Sequence, residues 1–216
     1  MELLRNLSEL LFPARCVACG ELGLSLCSQC RKSWNPHPYI TNIGRDSATK
    51  LTVISSVIYS TVAQKIILGA KESHLHQCDE LVAEAVTHAL ERFLNHSSVD
   101  YLIPIPSRKG AVRQRGREFI AEIAEDGSKM FDIPIATPLI HNRRVRDQSG
   151  LQLQERWNNL EGAFVVEREH GLHGNILLID DLVTTGATLC EAARALRYAG
   201  IKVIGAVTAA LAQPLR

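Results

Sequence analysis

Beyond about residue 50, the apolar residues of the chain alternate between continuous runs and stripes at helical spacing. The runs predict four strands, which are Leu51–Ser60, Tyr101–Ile105, Asn175–Ile179 and Lys202–Ala210. The stripes predict the helices between them, which are Val62–Lys71, residues 81–94, the segment from residue 119, and Thr188–Ala199 with Gly200 as its end. Strands that are apolar throughout are buried on both faces, which is typical of a parallel sheet between helical layers. The predicted fold class is therefore α/β, and ligands are expected beyond the carboxyl ends of the strands.

The first 45 residues have a different pattern and are predicted to form a separate N-terminal unit. Leucines recur at helical spacing between Met1 and Phe12 and charges interrupt them, which favours an amphipathic helix over a signal peptide. The composition of residues 34–38 and 41–50 predicts a linker. We therefore place the domain boundary near residue 45, with the helix and a cysteine module in residues 1–45 and the α/β domain in residues 46–216.

The apolar stretches are too short to predict a membrane span. The longest, Val203–Ala212, is about half of the roughly 20 residues that a membrane helix needs. We therefore expect a cytoplasmic protein, and an oligomer is compatible with the sequence.

Charge is distributed locally rather than globally. The net charge is +1, so the chain lacks the overall basic excess that is typical of nucleic-acid-binding proteins. Two basic clusters nevertheless stand out, namely Arg108, Lys109, Arg113, Arg115 and Arg117, and then Arg143, Arg144 and Arg146. Each cluster is interpreted either as a solvated face or as a phosphate-binding surface.

Four of the six cysteines form two C-x-x-C pairs separated by seven residues, namely Cys16, Cys19, Cys27 and Cys30. Two such knuckles complete a tetrahedron around one metal ion, which favours a structural Zn²⁺ site because four thiolates leave no open position. A reducing cytoplasm disfavours the alternative of disulfides. A redox C-x-x-C is disfavoured because neither pair is predicted at a strand-to-helix junction. Cys78 and Cys190 are interpreted as small buried apolar residues.

Two adjacent carboxylates, Asp180 and Asp181, follow the apolar run that ends at Ile179. We expect the chain to turn here, so that both side chains face one ligand. Ionised carboxylates are strong acceptors for hydroxyl groups, and a sugar diol suits the pair. The alternative interpretation is a solvated turn.

A hydroxyl-rich loop follows the carboxylates and leads into a predicted helix; its residues are Thr184, Thr185, Gly186, Ala187 and Thr188. Backbone N–H groups at a helix N-terminus and neighbouring hydroxyls can hold a phosphate, and Gly186 would let the backbone approach it closely. The alternative is a capping box over Thr188–Glu191, in which Thr188 only caps the helix. Diol acceptors beside a phosphate cradle predict a site for ribose 5-phosphate.

This segment resembles the phosphoribosyl-pyrophosphate signature of type I phosphoribosyltransferases, in which an apolar run precedes Asp-Asp and Thr-Thr-Gly-x-Thr. The resemblance implies that family's fold, a parallel twisted sheet flanked by helices, here with a small zinc-ribbon-like module at the N-terminus. In the family the acidic pair contacts the ribose hydroxyls and the loop binds the 5-phosphate. It therefore assigns Asp180 and Asp181 to the ribose, and residues 184–188 to the phosphate, of phosphoribosyl pyrophosphate bound with Mg²⁺.

A narrower resemblance to the ComF family extends over nearly the whole chain. The shared features are the four cysteines, a lysine after an Ile-rich helix (here Lys71), a Pro-x-Pro strand end with basic residues, and the signature. Between them, residues 148–164 carry Gln-x-Gly-Leu, Glu-Arg and Asn-x-x-Gly-Ala-Phe. Members often read Arg-Gly-Phe-Asn-Gln where residues 115–119 read Arg-Gly-Arg-Glu-Phe, so no role of that Asn or Gln is carried over.

The resemblance also assigns roles outside the signature. The further residues that it places in the ligand site are Lys71, Ser107, Arg108, Lys109 and Arg144. Ser107, Arg108 and Lys109 would hold the pyrophosphate, and the last two would be catalytic together with the aspartates. The segment Arg143–Asn159 matches the loop that closes over the site in the family.

The resemblance implies an enzyme that transfers the phosphoribosyl group to a nitrogenous acceptor, whose identity the sequence leaves open. Mg²⁺ and arginines would stabilise the departing pyrophosphate in a transition state with oxocarbenium character. One alternative is a regulator that binds the ligand without turnover. Another is a competence factor that acts on single-stranded DNA or DNA-uptake proteins, with affinity that falls steeply as salt rises.

Overall fold

A mixed five-stranded sheet forms the centre of the protein, whose computed structural model describes residues 14–45, 50–73, 75–143, 153–167 and 171–213. Its strands are β1 (Tyr39–Ile43), β2 (Leu51–Ile58), β3 (Tyr101–Pro104), β6 (Asn175–Val183) and β7 (Lys202–Leu211). The order across the sheet is β1-β2-β7-β6-β3. Four strands are parallel, as predicted, but β1 pairs antiparallel with β2, so the sheet is mixed rather than purely parallel. The remaining strands, β4 (Leu139–His141) and β5 (Phe164–Val166), form a small antiparallel sheet.

Helices cover both faces of the main sheet. In chain order they are α1 (Ser28–Trp34), α2 (Thr61–Ser73), α3 (His76–Leu94), α4 (Lys109–Arg115), α5 (Phe119–Phe131), α6 (Leu153–Leu160) and α7 (Ala187–Tyr198). Leu177 and Ile179 of β6 pack with α2, α3 and α5, whereas Ile176 and Leu178 pack with α7 and the small sheet. Successive strand residues face opposite sides, so coverage of both faces explains why residues 176–179 of β6 are all apolar. None of the helices in the described ranges combines the length and apolar character that a membrane crossing needs.

The strands and helices predicted beyond residue 50 are confirmed, with small shifts at their ends. The linker prediction is wrong at residues 41–43, which belong to β1. An edge strand has one half-buried face and one exposed face, so it lacks the apolar run that signals a central strand. The elements β4, α6 and β5 were not predicted, because they are short and only partly buried.

The four-cysteine module packs directly on the α/β part of the molecule. Trp34, which the sequence analysis placed in a linker, ends α1 and is 1% exposed. Its Nε1 donates a hydrogen bond of 3.2 Å to the carbonyl of Leu81 in α3. Module residues and α2 and α3 therefore share one apolar core. The boundary near residue 45 stays a prediction, and the predicted helix of residues 1–12 lies outside the described residues.

Candidate functional site

A cavity of about 210 Å³ opens at the carboxyl ends of β3 and β6. Its polar wall consists of Lys71, Ser107, Arg108, Arg115, Asp180, Asp181 and Thr188, and its apolar wall of Ile105, Pro106, Ala111 and Ile120. Six of the residues that were predicted for the ligand site therefore line one cavity, although four different elements supply them. Lys109, the first residue of α4, is exposed, and Arg144 lies outside the described residues.

The cavity forms because β3 ends before its neighbour β6 does. The pairing of β3 with β6 ends at Pro104 opposite Ile179, whereas β6 continues beside β7 as far as Val183. The predicted turn at the aspartates is therefore wrong, because both lie inside a strand with one edge uncovered by β3. Asp180 nevertheless reaches the same opening as Asp181, and its Oδ1 accepts a hydrogen bond of 2.9 Å from the Asp181 backbone N–H.

Asp181 is paired with a lysine. Asp181 as a whole is 5% exposed, and its Oδ2 lies 2.5 Å from Nζ of Lys71, near the end of α2. Burial acts to raise the pKa of Asp181, but the charge and hydrogen bond of Lys71 outweigh it, so the pKa is lowered. For Asp180, burial and then the negative charge of Asp181 raise the pKa well above its ordinary value. The two adjacent carboxyls thus differ in their tendency to ionise.

The Asp180 carboxyl should make the protein's stability depend on pH in a defined direction. A folded-state pKa above the unfolded value means that the folded protein binds the proton more tightly, so stability falls as pH rises from about 4 towards the folded pKa. Urea unfolding at a series of pH values should therefore show the Asp180→Asn variant gaining stability over the wild type as pH rises, up to a plateau. The exposed Asp126→Asn exchange should show no such trend, and a pH-independent difference for Asp180→Asn would contradict the assignment.

The predicted phosphate loop leads directly into α7. Gly186 has φ +77° and is the N-cap, so the helix begins at Ala187 and Thr188 lies inside its first turn. This contradicts the capping-box alternative, and Thr188 faces the cavity instead. The Oγ1 of Thr185 accepts a hydrogen bond of 3.3 Å from the backbone N–H of Ala187, and Thr184 is exposed. The hydroxyl-rich loop and a helix N-terminus are thus adjacent to the cavity, as an anion site requires.

Gly186 has a packing role that the sequence analysis missed. A Cβ built on it would lie 2.7 Å from Cβ of Ile43 in β1. The close approach that requires glycine is therefore made by the edge strand, in addition to the left-handed backbone conformation. Strand β1 thus packs against the loop that precedes α7.

The first basic cluster divides into cavity and structural residues. Arg108, which precedes α4, and Arg115, which ends it, both line the cavity. The Nε and Nη2 of Arg115 lie 3.0 and 2.7 Å from Oε1 of Glu72. Arg117, in contrast, is held away from the cavity wall by Asp79, to which it donates two hydrogen bonds of 2.8 and 2.9 Å. The charge of Arg117 is therefore already paired, which disfavours the phosphate-binding interpretation for this residue. Glu72, adjacent to Lys71 in the sequence, gave no signal of its own.

Replacing Arg117 should affect stability and not ligand binding. Arg117→Ala leaves the partly buried carboxylate of Asp79 without its paired donor, which costs about 1–3 kcal/mol of unfolding free energy. Chemical denaturation measures this loss, and titration calorimetry with phosphoribosyl pyrophosphate and Mg²⁺ should give an unchanged Kd. The exposed Arg113→Ala exchange, on helix α4, serves as the control for stability. A large loss of affinity in Arg117→Ala would restore the phosphate-binding interpretation.

Only part of the predicted closing loop is described. Arg143 donates hydrogen bonds of 3.1 Å to the carbonyl of Asn159 and 2.6 Å to that of Glu161, so it fixes local structure. Residues 153–160 form α6. The segment between Arg143 and α6 lies outside the described residues, so its closing role stays a prediction.

The four predicted cysteines meet at the N-terminal end of the molecule, where their ligand atoms all lie within 4.8 Å of one another. Cys16 and Cys19 lie in a hairpin closed by the Arg15–Leu22 bridge, and Cys27 is the N-cap of α1. The second pair therefore begins a helix, but no strand precedes this helix in the described part of the chain. Cys78 and Cys190 are buried outside the cluster, as predicted. The cluster has the donor set and geometry that could hold one metal ion.

The cluster favours ionised sulfur at one position. Burial acts to raise the pKa of Cys16, but hydrogen bonds from the backbone N–H groups of Cys27, Cys19 and Ala18 outweigh it and lower the pKa to about 6. For Cys78 and Cys190, burial raises the pKa to about 11. For Cys30, burial and then the neighbouring sulfurs also raise the pKa. For Cys27, the hydrogen bond from the Cys30 backbone N–H acts to lower the pKa, but burial and the neighbouring sulfurs outweigh it and raise it. The thiolate, which is the form that binds metals, is thus favoured at Cys16.

The chain is similar to known proteins. Residues 111–214 match the Phosphoribosyl transferase domain family. Competence protein F of Haemophilus influenzae is 25% identical over 219 residues, which cover 89% of this chain and 95% of that protein.

Among solved structures, an adenine phosphoribosyltransferase is similar with 12% identity and a TM-score of 0.44, covering 87% of this chain and 91% of its own. The enzyme from Trypanosoma brucei has 9% identity and a TM-score of 0.45, covering 80% and 87%. Similarity at this level carries no weight beside the domain match and the sheet topology. Residues 111–214 therefore match a phosphoribosyltransferase domain, the molecule has the type I phosphoribosyltransferase fold, and the chain is similar over most of its length to competence protein F, as the ComF resemblance predicted.

Proposed function

We propose that the protein binds phosphoribosyl pyrophosphate with Mg²⁺ in the cavity and transfers its phosphoribosyl group to a nitrogenous acceptor. The observation that carries the proposal is the convergence of an acidic pair, a basic loop and a helix N-terminus on one opening. Each has the chemistry of one part of the ligand: diol, pyrophosphate and 5-phosphate.

The proposed ligand would bind in one orientation. The ribose hydroxyls would bind Asp180 and Asp181, and the 5-phosphate would lie at the start of α7 with the hydroxyls of residues 184–188. The pyrophosphate would then face Ser107, Arg108 and Lys109 after β3. The Lys71 side chain is 22% exposed and pairs with Asp181, so its ammonium group could also contact the bound ligand.

The donor set fits Mg²⁺. Carboxylate oxygens are its preferred protein ligands, and Asp180 and Asp181 supply them beside the place of the pyrophosphate. When bound, the ion would withdraw charge from the leaving group. The ion pair with Lys71 keeps Asp181 ionised, whereas Asp180 would ionise when a cation or hydroxyl donor arrives.

The chain's own residues would then stabilise the reaction electrostatically. Pyrophosphate gains negative charge as its bond to C1 breaks, and Arg108, Lys109 and Arg115 present positive charge on that side. The acceptor nitrogen attacks C1 and later loses a proton to solvent or to pyrophosphate. We propose that the loop after Arg143, including Arg144, excludes water during this step.

A panel of acceptors tests turnover. The protein is incubated with phosphoribosyl pyrophosphate, Mg²⁺ and one of several nucleobases or ammonia, and pyrophosphate release is measured. Release above background with one acceptor supports a transferase. Ligand binding without release for any acceptor would favour the non-catalytic regulator.

We also propose that the cysteine cluster holds one structural Zn²⁺, because four protein sulfurs complete its preferred tetrahedron. We further propose a cytoplasmic location, because a reducing compartment keeps cysteines from forming disulfides and so leaves them able to bind a metal.

A role in DNA uptake is the second candidate, and the similarity to competence protein F favours it. Arg108, Lys109 and Arg113 form an exposed basic surface on and beside α4 that single-stranded DNA would fit. Fluorescence anisotropy with a labelled oligonucleotide should show affinity that falls steeply between about 50 and 200 mM salt. Salt-independent or absent binding would remove this candidate.

A further inference from the structure

We propose that the four-cysteine module positions the basic side chains of the cavity, acting through the last turn of helix α2. The proposal rests on the proposed function, because the affected property is the affinity for phosphoribosyl pyrophosphate. It makes Val17 a positioning residue, since Val17 lies in the module and does not line the cavity.

The module contacts α2 at a buried glycine. A Cβ built on Gly69 would lie 3.0 Å from Cγ2 of Val17 and 3.2 Å from Sγ of Cys78. Val17 follows Cys16 directly, and its backbone N–H donates a 2.9 Å hydrogen bond to the carbonyl of Ser25. The position of the Val17 side chain is therefore fixed by the fold of the cysteine cluster.

The same turn of α2 contacts the cavity on its other side. Two residues of a helix turn the side chain by about 200°, so Lys71 points away from the Gly69 contact and towards Asp181, at 2.5 Å. Glu72 follows and holds Arg115, whose Nη2 lies 2.7 Å from its Oε1. One turn thus links the module to a lysine and an arginine in the cavity wall.

The module is also braced against the next helix. Ser25 Oγ donates a hydrogen bond of 3.1 Å to Oε1 of Gln77, and Trp34 Nε1 donates to the Leu81 carbonyl. Both acceptors belong to α3, so the module cannot shift away from α2 without breaking them. Because packed interiors transmit small displacements, a change at Gly69 should reach Lys71 and Arg115.

Calorimetric titration of the full-length, metal-loaded protein with phosphoribosyl pyrophosphate and Mg²⁺ tests the proposal. Gly69→Ala crowds Val17 and should weaken binding about five-fold or more, although alanine by itself favours the helix. Val17→Ala in the same chain makes room and should restore the wild-type Kd within about two-fold. Gly127→Ala is the matched control, because its Cβ meets Cδ2 of Leu90 at 2.9 Å, away from both module and cavity, and its Kd should stay unchanged.

A Lys71→Met background distinguishes an effect on the position of Lys71 from a general effect on the folded structure. If the module acts mainly through Lys71, adding Gly69→Ala to Lys71→Met should cost much less affinity than it costs in the wild type. If Gly69→Ala does not fold, the Kd of the single variant Val17→Ala tests the proposal. Loss of the contact between Val17 and Gly69 should also weaken binding of phosphoribosyl pyrophosphate.

The outcomes distinguish this inference from the function on which it rests. Wild-type protein that does not bind the ligand refutes the proposed function, and the inference with it. Wild-type binding with an unchanged Kd in Gly69→Ala and Val17→Ala refutes the inference alone.

Discussion

Asp180→Asn should abolish the thermal stabilisation of the protein by phosphoribosyl pyrophosphate and Mg²⁺ without destabilising the unliganded protein. At about 100 times Kd, a ligand adds roughly 2.7 kcal/mol, which raises Tm by about 5–10 °C for a chain of this size. Asparagine keeps the acceptor for the Asp181 N–H but cannot ionise towards a diol or a cation. Because burial raises the pKa of Asp180, the neutral amide replaces a carboxyl whose charge the folded state disfavours. Differential scanning fluorimetry with and without ligand measures both effects.

The control for this prediction is Asp126→Asn, an exposed position whose ligand-induced shift should equal that of the wild type. Asp181→Asn is a poorer choice, because it leaves Lys71 without the carboxylate at 2.5 Å and should itself be destabilising. A wild-type shift that survives intact in Asp180→Asn would show that the acidic pair does not bind the ligand.

Cys27→Ser should release the metal and lower the unfolding free energy by about 4 kcal/mol or more. The Sγ of Cys27 lies 3.7 Å from that of Cys19 at the centre of the cluster, and a serine hydroxyl cannot replace a thiolate ligand. Elemental analysis should find about one Zn²⁺ per wild-type chain and almost none in the variant. The buried Trp34 should then become exposed, so its fluorescence should shift to longer wavelength. A Trp157→Phe background makes Trp34 the sole tryptophan.

Cys190→Ser is the matched control for that experiment. Cys190 is buried but lies outside the cluster, so the metal should be retained. Wild-type protein that is well folded and free of metal, or Cys27→Ser that keeps a full equivalent, would overturn the assignment of a structural metal.

The central sheet could be predicted because burial on both faces leaves an unambiguous apolar run in the sequence. The edge strand β1 could not, because its half-exposed residues resemble a polar connection until β2 is placed beside it. The pieces β4, α6 and β5 are too short for a period to emerge. Their existence depends on packing against α7, which is distant in the sequence.

In the candidate site, too, local features could be predicted and contacts between distant segments could not. Asp180, Asp181 and Thr188 were found because they belong to one contiguous segment whose chemistry is local. The pairing of Arg117 could not be predicted, because a basic cluster does not reveal that Asp79, 38 positions earlier, binds one of its members. The packing contact of Gly186 was missed for a similar reason, since Ile43 approaches it from the edge strand β1. Both contacts join residues that are far apart in the sequence, so a local pattern does not reveal them.

The strand order has a consequence for how the polypeptide assembles. Strand β7 lies between β2 and β6, so the pair β1-β2 and the pair β6-β3 are joined through it. It is also the last of the described strands to be synthesised, emerging after all of its partners. Growing chains on the ribosome would therefore carry two unjoined half-sheets with unpaired edges, and such edges favour aggregation. Nascent molecules should depend on chaperone protection until residues 202–211 have left the exit tunnel.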